Sequence, residues 1–313
     1  MGAGGDFLIW DPDPNQSSGP VIKSALESIG YNGIHTSDLS PYYGELQYYL
    51  AVFVCVGVFS SNYVIPDGSA DATALVNYVT AGGRMYLEGG DVWYWDPLYK
   101  SGYDFGPLFG INPTDDGSGD LVTVNGQSGS FTEGMSFSYT GENSWIDHIS
   151  AISPAFLIFR NSSPQYDCGV AYDAGSYKTV GVSFEFGGLS DGTPPLTKEA
   201  LADSIMHFFE ILVGTEEEHV IVLNLPKVYG LSQNFPNPCG NNVVINYQIP
   251  HKGKVSLRVY DVSGRLTDVL IDGVVEPGYH SFRLDTKGYA SGVYFYRLVG
   301  GGKTFTRKMI VVK

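Results

Sequence analysis

The chain has 313 residues, of which 43% are hydrophobic and 14% aromatic, enough to form packed cores in two domains. This composition excludes a disordered protein, and no stretch approaches the roughly 18 consecutive apolar residues of a transmembrane helix. The formal net charge of −15 is divided unevenly: residues 227–313 hold 12 Lys and Arg against 5 Asp and Glu, whereas residues 1–226 hold 6 against 28. Two modules are therefore predicted. The acidic one would repel a phosphate backbone, which excludes nucleic-acid binding there.

Short apolar runs alternate with amphipathic helical patterns over the first 90 residues. Strands are predicted near 6–10, 33–35, 51–58 and 84–87, with helices between about 19 and 29 and over 70–80 and a short helical segment near Leu46. Strands follow again at 155–159, 168–172 and 179–184, and a helix at 198–212 closes the domain. The alternation predicts a doubly wound α/β fold with a parallel sheet. Residues 93–150, which lack this regularity, are predicted to be a β-rich insertion with one or two hairpins.

The sequence pattern changes near residue 231, where short runs of alternating polar and apolar residues are separated by Gly and Pro turns. Strands are predicted at 243–249, 254–261, 265–271, 278–284, 292–299 and 303–312. This spacing is typical of an antiparallel β-sandwich of the immunoglobulin type. The predicted domains are therefore 1–215 (α/β) and 231–313 (all-β), joined by a linker at 216–230.

Three cysteines, Cys55, Cys168 and Cys239, are too few and too widely spaced to predict a disulfide framework or a metal knuckle. Cys55 lies in the apolar run 51–57, which predicts a thiol buried inside a strand.

Candidate site residues follow the strand at 84–87, in the order Glu88, two glycines, Asp91 and Trp93. In open α/β sheets the loops at the carboxyl ends of the strands hold ligands. Asp11, which follows the first strand, is a further candidate for ligand binding, and its pairing with Asp13 suggests calcium binding. The aromatic residues Trp93 and Trp95 beside the acids are candidates for stacking on sugars. The alternative is that they form the core of the insertion.

The run 115–120 places the acids Asp115, Asp116 and Asp120 in a glycine-rich loop, as in calcium-binding loops. The bidentate Glu expected at the twelfth position of such a loop is missing. Ca²⁺ is the one ion that the sequence indicates, and no other cofactor is predicted.

Five motifs in the last part of the chain resemble the C-terminal sorting domain of the type IX (Por) secretion system. They lie at 231–238 (LSQNFPNP), 259–265 (VYDVSGR), 276–278 (EPG), 290–297 (ASGVYFYR) and 307–313 (RKMIVVK). Cys239 and Gly240 depart from the pattern, which commonly has an aromatic residue and Asn-Pro there. The resemblance implies export by the type IX secretion machinery, with the domain acting as an address.

Within these motifs, the glycines Gly264, Gly278 and Gly292 are expected at turns where a Cβ would be strained. Tyr294 alternates with Tyr296 on one face of a strand. Lys308 belongs to the basic terminal motif.

The first 215 residues resemble the class I glutamine amidotransferase-like (flavodoxin-like) fold in two short pieces, 84–90 (RMYLEGG) and 181–187 (GVSFEFG). Glu88 stands where that family has its nucleophilic Cys, and Glu185 stands where it has a His. Without a thiolate or an imidazole no thioester can form, so glutaminase activity is not expected. Cys55 is no substitute, because it lies inside an earlier strand.

If the two pieces align as in that family, Glu88 and Glu185 lie close together. Two close carboxylates raise one another's pKa, which would suit a general acid and base or a hard-cation site. Alternatively, each carboxylate accepts backbone N–H groups of the neighbouring glycines and only holds its loop in place. We favour this second interpretation.

These patterns favour a secreted, cell-surface module for binding, adhesion or assembly that is not an enzyme. Its expected partners are the type IX secretion machinery and either a surface polysaccharide or a neighbouring copy of itself. A competing hypothesis is an extracellular hydrolase that attacks a glycan or peptide with Glu88, Glu185 and Asp91. A third is a structural subunit of a surface layer or filament.

Overall fold

The computed structural model describes residues 5–194, 196–212, 228–234 and 236–313. Most of the predicted linker at 216–230 lies outside this part of the chain. Residues 5–212 form a nine-stranded sheet with helices on both faces, and residues 228–313 form two antiparallel sheets. None of the helices in the described ranges has the length and apolar character needed to cross a membrane.

The first part contains eleven strands and five α-helices. In chain order they are β1 (Phe7–Trp10), α1 (Gly19–Ser28), β2 (Gly33–Thr36), β3 (Ala51–Cys55), α2 (Ala70–Thr80), β4 (Arg84–Glu88), α3 (Trp95–Tyr99), α4 (Gly106–Phe109), β5 (Ile111–Asp115), β6 (Thr123–Gly126), β7 (Ser136–Ser138), β8 (His148–Ala151), β9 (Phe156–Asn161), β10 (Tyr166–Asp173), β11 (Lys178–Val182) and α5 (Lys198–Phe208). Ser69 and Thr197 cap α2 and α5, since their hydroxyls accept backbone N–H groups of the first turn.

The large sheet has the strand order β2-β1-β3-β4-β11-β10-β9-β6-β7. The first five strands are parallel, as predicted, but β10, β9, β6 and β7 pair antiparallel. Of these four, β6 and β7 lie in the insertion for which hairpins are predicted. The prediction of a parallel sheet is therefore wrong for β9 and β10. The reason is the length of the connections. Only four residues separate β9 from β10 and β10 from β11, whereas parallel neighbours need a crossover of about a dozen residues.

Both faces of the sheet are covered, because successive side chains of a strand point to opposite sides. Phe7 and Ile9 of β1 pack in one core with α1 and α5. Leu8 and Trp10 of the same strand pack in a second core with α2. Continuous apolar runs such as 51–55 are therefore explained by burial on both faces.

The insertion after β4 contains one hairpin that extends the sheet and one small separate sheet. β6 and β7 pair antiparallel at the sheet edge, and β5 pairs with β8. The backbone N–H of Asp147 donates to the carbonyl of Gly90 at 2.6 Å. The insertion is thereby held against the end of β4.

The second part contains seven strands: β12 (Gly230–Leu231), β13 (Asn242–Ile249), β14 (Gly253–Asp261), β15 (Leu266–Val275), β16 (Gly278–Asp285), β17 (Gly292–Gly300) and β18 (Lys303–Val311). They form the sheets β12-β13-β16 and β15-β14-β17-β18. Ile245 of the first sheet and Leu257 of the second lie in one core, so the sheets pack face to face. The six predicted strands all occur, and the immunoglobulin topology stays a prediction.

Two of the three motif glycines occupy strained turns. Gly264 has φ +81° and Gly278 has φ +142°, values that disfavour any side chain. The expectation for Gly292 is wrong: it begins β17 without a positive φ, and a Cβ there would meet no atom within 4 Å. Tyr296 is fully buried beside the partly buried Tyr294.

Candidate functional site

Four buried acids meet at the carboxyl ends of the parallel strands. Asp11 and Asp13 follow β1, Glu88 ends β4, and Glu185 follows β11. Each is at most 2% exposed. The negative charge of Glu185 adds to the effect of burial in raising the pKa of Glu88, because the adjacent parallel strands β4 and β11 end side by side.

Glu88 is held by its own chain. Its Oε2 atom accepts hydrogen bonds from the Tyr86 hydroxyl at 2.7 Å and from the backbone N–H of Phe186 at 2.9 Å. Complete burial raises the pKa of Glu88 to about 8, although hydrogen bonds from Ser18, Tyr86 and Phe186 oppose the rise. The protonated carboxyl is therefore favoured at neutral pH.

Glu185 is enclosed in the same way. Its carboxylate accepts hydrogen bonds from the Ser17 hydroxyl, from the Tyr139 hydroxyl at 3.2 Å and from the backbone N–H of Glu142 at 3.0 Å. Burial raises its pKa above the ordinary value, and these hydrogen bonds counteract part of the shift. Every donor belongs to the loops that surround the strand ends.

Asp11 joins β1 to the start of α1. Its Oδ2 atom accepts the backbone N–H of Gly19 at 2.9 Å and lies 3.4 Å from Nε2 of His35. Burial raises the pKa of Asp11 to about 7. A ligand-binding role was expected for Asp11, and the structure places it at 0% exposure beneath the helix.

Cys55 lies opposite Glu88 in the register of β3 and β4. Its thiol is fully buried, and burial together with the nearby Glu88 raises its pKa well above the ordinary value. A nucleophilic thiolate is disfavoured at this position.

A second group of acids lines an open pocket between the end of β4 and the insertion. The pocket has a volume of about 490 Å³. It is lined by Phe59, Ser60, Asn62, Val64, Asp91, Trp95, Asp96, Lys100, Asp116 and Trp145. A cavity of this size with a few polar groups suits a small ligand or part of a polymer.

The acids of this pocket have raised pKa values. Burial and the charge of Asp116 raise the pKa of Asp91 to about 6, while Lys100 lowers it. Burial and Asp91 raise that of Asp96 to about 7, and Asn62 donates to its carboxylate at 3.3 Å. The pKa of Asp116 is also raised, chiefly by burial.

Asp147 lies beneath the pocket. One carboxylate oxygen from each of Asp91, Asp116 and Asp147 lies within 4.8 Å of the other two. The Oδ2 atom of Asp147 accepts the backbone N–H groups of Trp93 at 2.9 Å and Tyr94 at 2.7 Å. Burial raises its pKa to about 8, against these hydrogen bonds.

The aromatic residues divide between pocket and core. Trp145 is 43% exposed and Phe59 is 54% exposed, and both line the pocket with the half-buried Trp95. The ring of Trp95 packs 4.4 Å from that of Tyr99. Trp93 is instead buried in the core, where its Nε1–H donates to the carbonyl of Val182 at 2.9 Å.

Among the described residues, the three acids of the predicted calcium loop do not come together as one group of ligands. Asp116 joins Asp91 and Asp147, whereas Asp115 is exposed and Asp120 accepts a hydrogen bond from Ser118 at 2.6 Å. Sequence reasoning missed Asp147 and Trp145. They lie more than 50 residues after Asp91 in the irregular insertion, and no spacing rule connects them.

The fold and the site thus define a protein with two parts, an α/β body that carries an acidic, aromatic pocket and a C-terminal pair of packed β-sheets. Residues 233–312 match the family described as "Secretion system C-terminal sorting domain". The resemblance predicted from the five motifs is confirmed for this part. The domain indicates secretion and cell-surface attachment, and it implies recognition by the type IX secretion machinery.

A search of curated proteins finds no match. Among solved structures, the chain is similar to "Exo-beta-1,4-mannosidase Op5Man5 from Opitutaceae bacterium strain TAV5", with a TM-score of 0.41 and 10% identity. The match covers 67% of this chain and 36% of the mannosidase chain. These matches do not support the resemblance of the first 215 residues to amidotransferases, which stays a prediction.

Proposed function

We propose that the protein is a non-catalytic cell-surface module that binds a carbohydrate in the pocket between the end of β4 and the insertion. The observation that carries this proposal is the pocket itself: an open volume of about 490 Å³ in which exposed aromatic rings stand beside carboxylates. A sorting domain that delivers the chain to the surface is consistent with an extracellular ligand.

The chemistry of the lining suits a polyhydroxylated ligand. The exposed rings of Trp145 and Phe59 offer apolar faces for the C–H surfaces of a sugar. Asp96 and Asp116 offer acceptors, and Asn62 offers an amide, for hydroxyl groups. The pocket is open on one side, which allows a chain of sugars to enter.

The paired glutamates favour a binding module over a hydrolase that uses Glu88 and Glu185. Glu88 and Glu185 are both 0% exposed and are hydrogen-bonded by their own loops. Substrate atoms therefore have no route to either carboxylate without opening the strand ends. This supports the interpretation that the two glutamates hold the loops in place.

A hydrolase at the second site is the competing function, because the acids of the pocket have raised pKa values. Asp91 and Asp96 have pKa values of about 6 and 7, and a raised pKa is a common property of general acids. Such an enzyme would use these residues in place of Glu88 and Glu185.

The order of the five parallel strands, β2-β1-β3-β4-β11, supports the flavodoxin-like interpretation of the α/β body, since that fold has the order 2-1-3-4-5. An amidotransferase-like body whose nucleophile position holds Glu88 is part of this proposal. Binding, rather than acyl transfer, is the activity expected of it.

Titration of the protein with a panel of neutral and acidic oligosaccharides by calorimetry tests the proposal. We expect saturable binding that Trp145→Ala weakens about tenfold, equivalent to about 1.4 kcal/mol. Tyr48→Ala, which removes a 40% exposed aromatic ring that does not line the pocket, should leave affinity unchanged. Equal affinity in the Trp145 variant, or no binding across the panel, contradicts the proposal. Release of shorter products that Asp96→Asn abolishes would establish the hydrolase instead.

A further inference from the structure

The geometry points to a divalent-cation site, with Ca²⁺ as its ion, formed by the carboxylates of Asp91, Asp116 and Asp147 at the base of the pocket. One oxygen atom from each residue lies within 4.8 Å of the others. An ion placed among three oxygens at such separations lies at most about 2.8 Å from each, and a small approach of the side chains brings them to the 2.3–2.6 Å typical of calcium ligands. This site does not depend on carbohydrate binding.

A free, buried oxygen distinguishes this group from an ordinary acidic patch. Asp147 is 0% exposed, and its Oδ1 atom has no hydrogen-bond partner among the described residues. An unpaired buried carboxylate oxygen is costly, because it loses its water and gains nothing in return. A bound cation would supply the missing partner.

The backbone prepares Asp147 for this role. Its other oxygen, Oδ2, accepts the N–H groups of Trp93 and Tyr94, which fixes the carboxylate before any ion binds. Asp91 is also buried, at 5% exposure, and Asp116 is half-buried at the pocket wall. The site is thus rigid at its base and open to the pocket on one side.

The surrounding charges leave an excess of negative charge for the ion to neutralise. The side chain of Lys100 lowers the pKa of Asp91, and the neighbouring Asp96 adds a further carboxyl group. His148 lowers the pKa of Asp116. Hard, oxygen-only ligands favour Ca²⁺ or Mg²⁺ over transition metals. Three carboxylates in an open pocket favour Ca²⁺, which tolerates irregular geometry and retains water ligands.

In a second acidic group, Asp13, Glu142 and Glu185, one carboxylate oxygen from each residue also lies within 4.8 Å of the others. None of these three described residues has a buried carboxylate oxygen without a hydrogen-bond partner. Both oxygens of Glu185 already accept hydrogen bonds from Ser17, Tyr139 and the backbone of Glu142. Glu142 is exposed. We therefore expect one ion per chain, bound at the pocket.

The test uses the full chain freed of metal with a chelator. Tb³⁺ is added as a luminescent substitute and is excited through the tryptophans Trp95 and Trp145 that line the pocket, and Ca²⁺ is titrated by calorimetry. We expect sensitised Tb³⁺ emission that Ca²⁺ displaces, with a stoichiometry of one and a Ca²⁺ dissociation constant between about 10⁻⁵ and 10⁻³ M.

Asp147→Asn and Asp116→Asn should each weaken Ca²⁺ at least tenfold. Asn keeps the acceptor for Trp93 and Tyr94, so the fold at position 147 should survive, and if it does not, Asp116→Asn alone carries the test. The control is Glu142→Gln, from the second acidic group, which should bind Ca²⁺ as the unchanged chain does. Absence of saturable Ca²⁺ binding, or binding lost in Glu142→Gln but retained in Asp147→Asn, overturns the proposal.

Discussion

The carboxylate of Glu88 accepts a hydrogen bond from the backbone N–H of Phe186 at 2.9 Å, although 98 residues separate the two in the chain. This bond ties the end of β4 to the loop that follows β11, its neighbour in the sheet. Glu88 thus holds together the edge at which open α/β sheets usually bind ligands. The carboxyl performs this role while it is completely buried, and its protonation is therefore coupled to folding.

Stability should fall as the pH rises, and Glu88→Gln should reduce the fall. In the folded chain the pKa of Glu88 is raised from 4.5 to about 8. Between these pH values the folded state binds more protons than the unfolded state, so the free energy of unfolding decreases with pH. One pKa unit is worth about 1.4 kcal/mol, which bounds the loss from this group at about 5 kcal/mol.

The measurement is the urea midpoint between pH 5 and pH 8.5 in chelator, for the unchanged chain and for Glu88→Gln. Gln cannot ionise, so the variant should show a shallower decline. Glu199→Gln, at an exposed position, should decline like the unchanged chain. Identical slopes for Glu88→Gln and the unchanged chain would show that Glu88 does not titrate in this range.

The native protein should contain no reactive thiol. Cys55, Cys168 and Cys239 are each at most 1% exposed, and burial raises the pKa of all three. A disulfide reagent such as Ellman's should therefore modify none of them in the folded chain and all three in denaturant. Rapid modification of Cys55 in the native state would instead indicate a nucleophilic thiol at the strand ends.

Gly264→Ala should destabilise the C-terminal sheets, whereas Gly292→Ala should not. Gly264 has φ +81°, where an alanine pays about 1 kcal/mol in backbone strain. Gly292 has no positive φ and open space around its Cα atom. Thermal unfolding of the two variants gives a direct comparison. An equal loss in both would mean that the strain at Gly264 is not the cause.

Removal of residues 231–313 should prevent the chain from reaching the cell surface in a host with type IX secretion. The sorting domain is the part of the chain that matches a family of secretion-system sorting domains. Fractionation of cells that express the full or the truncated chain measures the effect. A control, Trp145→Ala, should be exported normally, because its change lies in the pocket of the other body. Surface exposure of the truncated chain would show that export depends on another segment.

Several features were predictable because they depend on local patterns. The apolar run of β3 and the helical spacing of α2 predicted the bounds of these elements to within a few residues, because the spacing of apolar residues indicates which side of an element is buried. The sorting domain was found from its motifs. The proximity of Glu88 and Glu185 was expected only from the amidotransferase resemblance, and their complete burial was not expected at all.

The antiparallel pairing of β9 with β10 and the attachment of the predicted hairpin to the sheet edge were missed, because pairing partners are chosen by long-range contacts. β6 lies beside β9 only after the chain between them has folded back. In the same way, Trp93 was expected to contact ligand, but its indole packs in the core, and Trp145 lines the pocket instead.

The amino-acid sequence by itself determined the two modules, most of their helices and strands, and the address at the C-terminal end. These depend on composition, periodicity and short motifs that act within about a dozen residues. The tertiary structure alone decided that Asp147 meets Asp91 and Asp116 beneath an aromatic pocket, and that Glu88 and Glu185 are enclosed. Both outcomes depend on how the loops after different strands pack together, and no local rule specifies that packing.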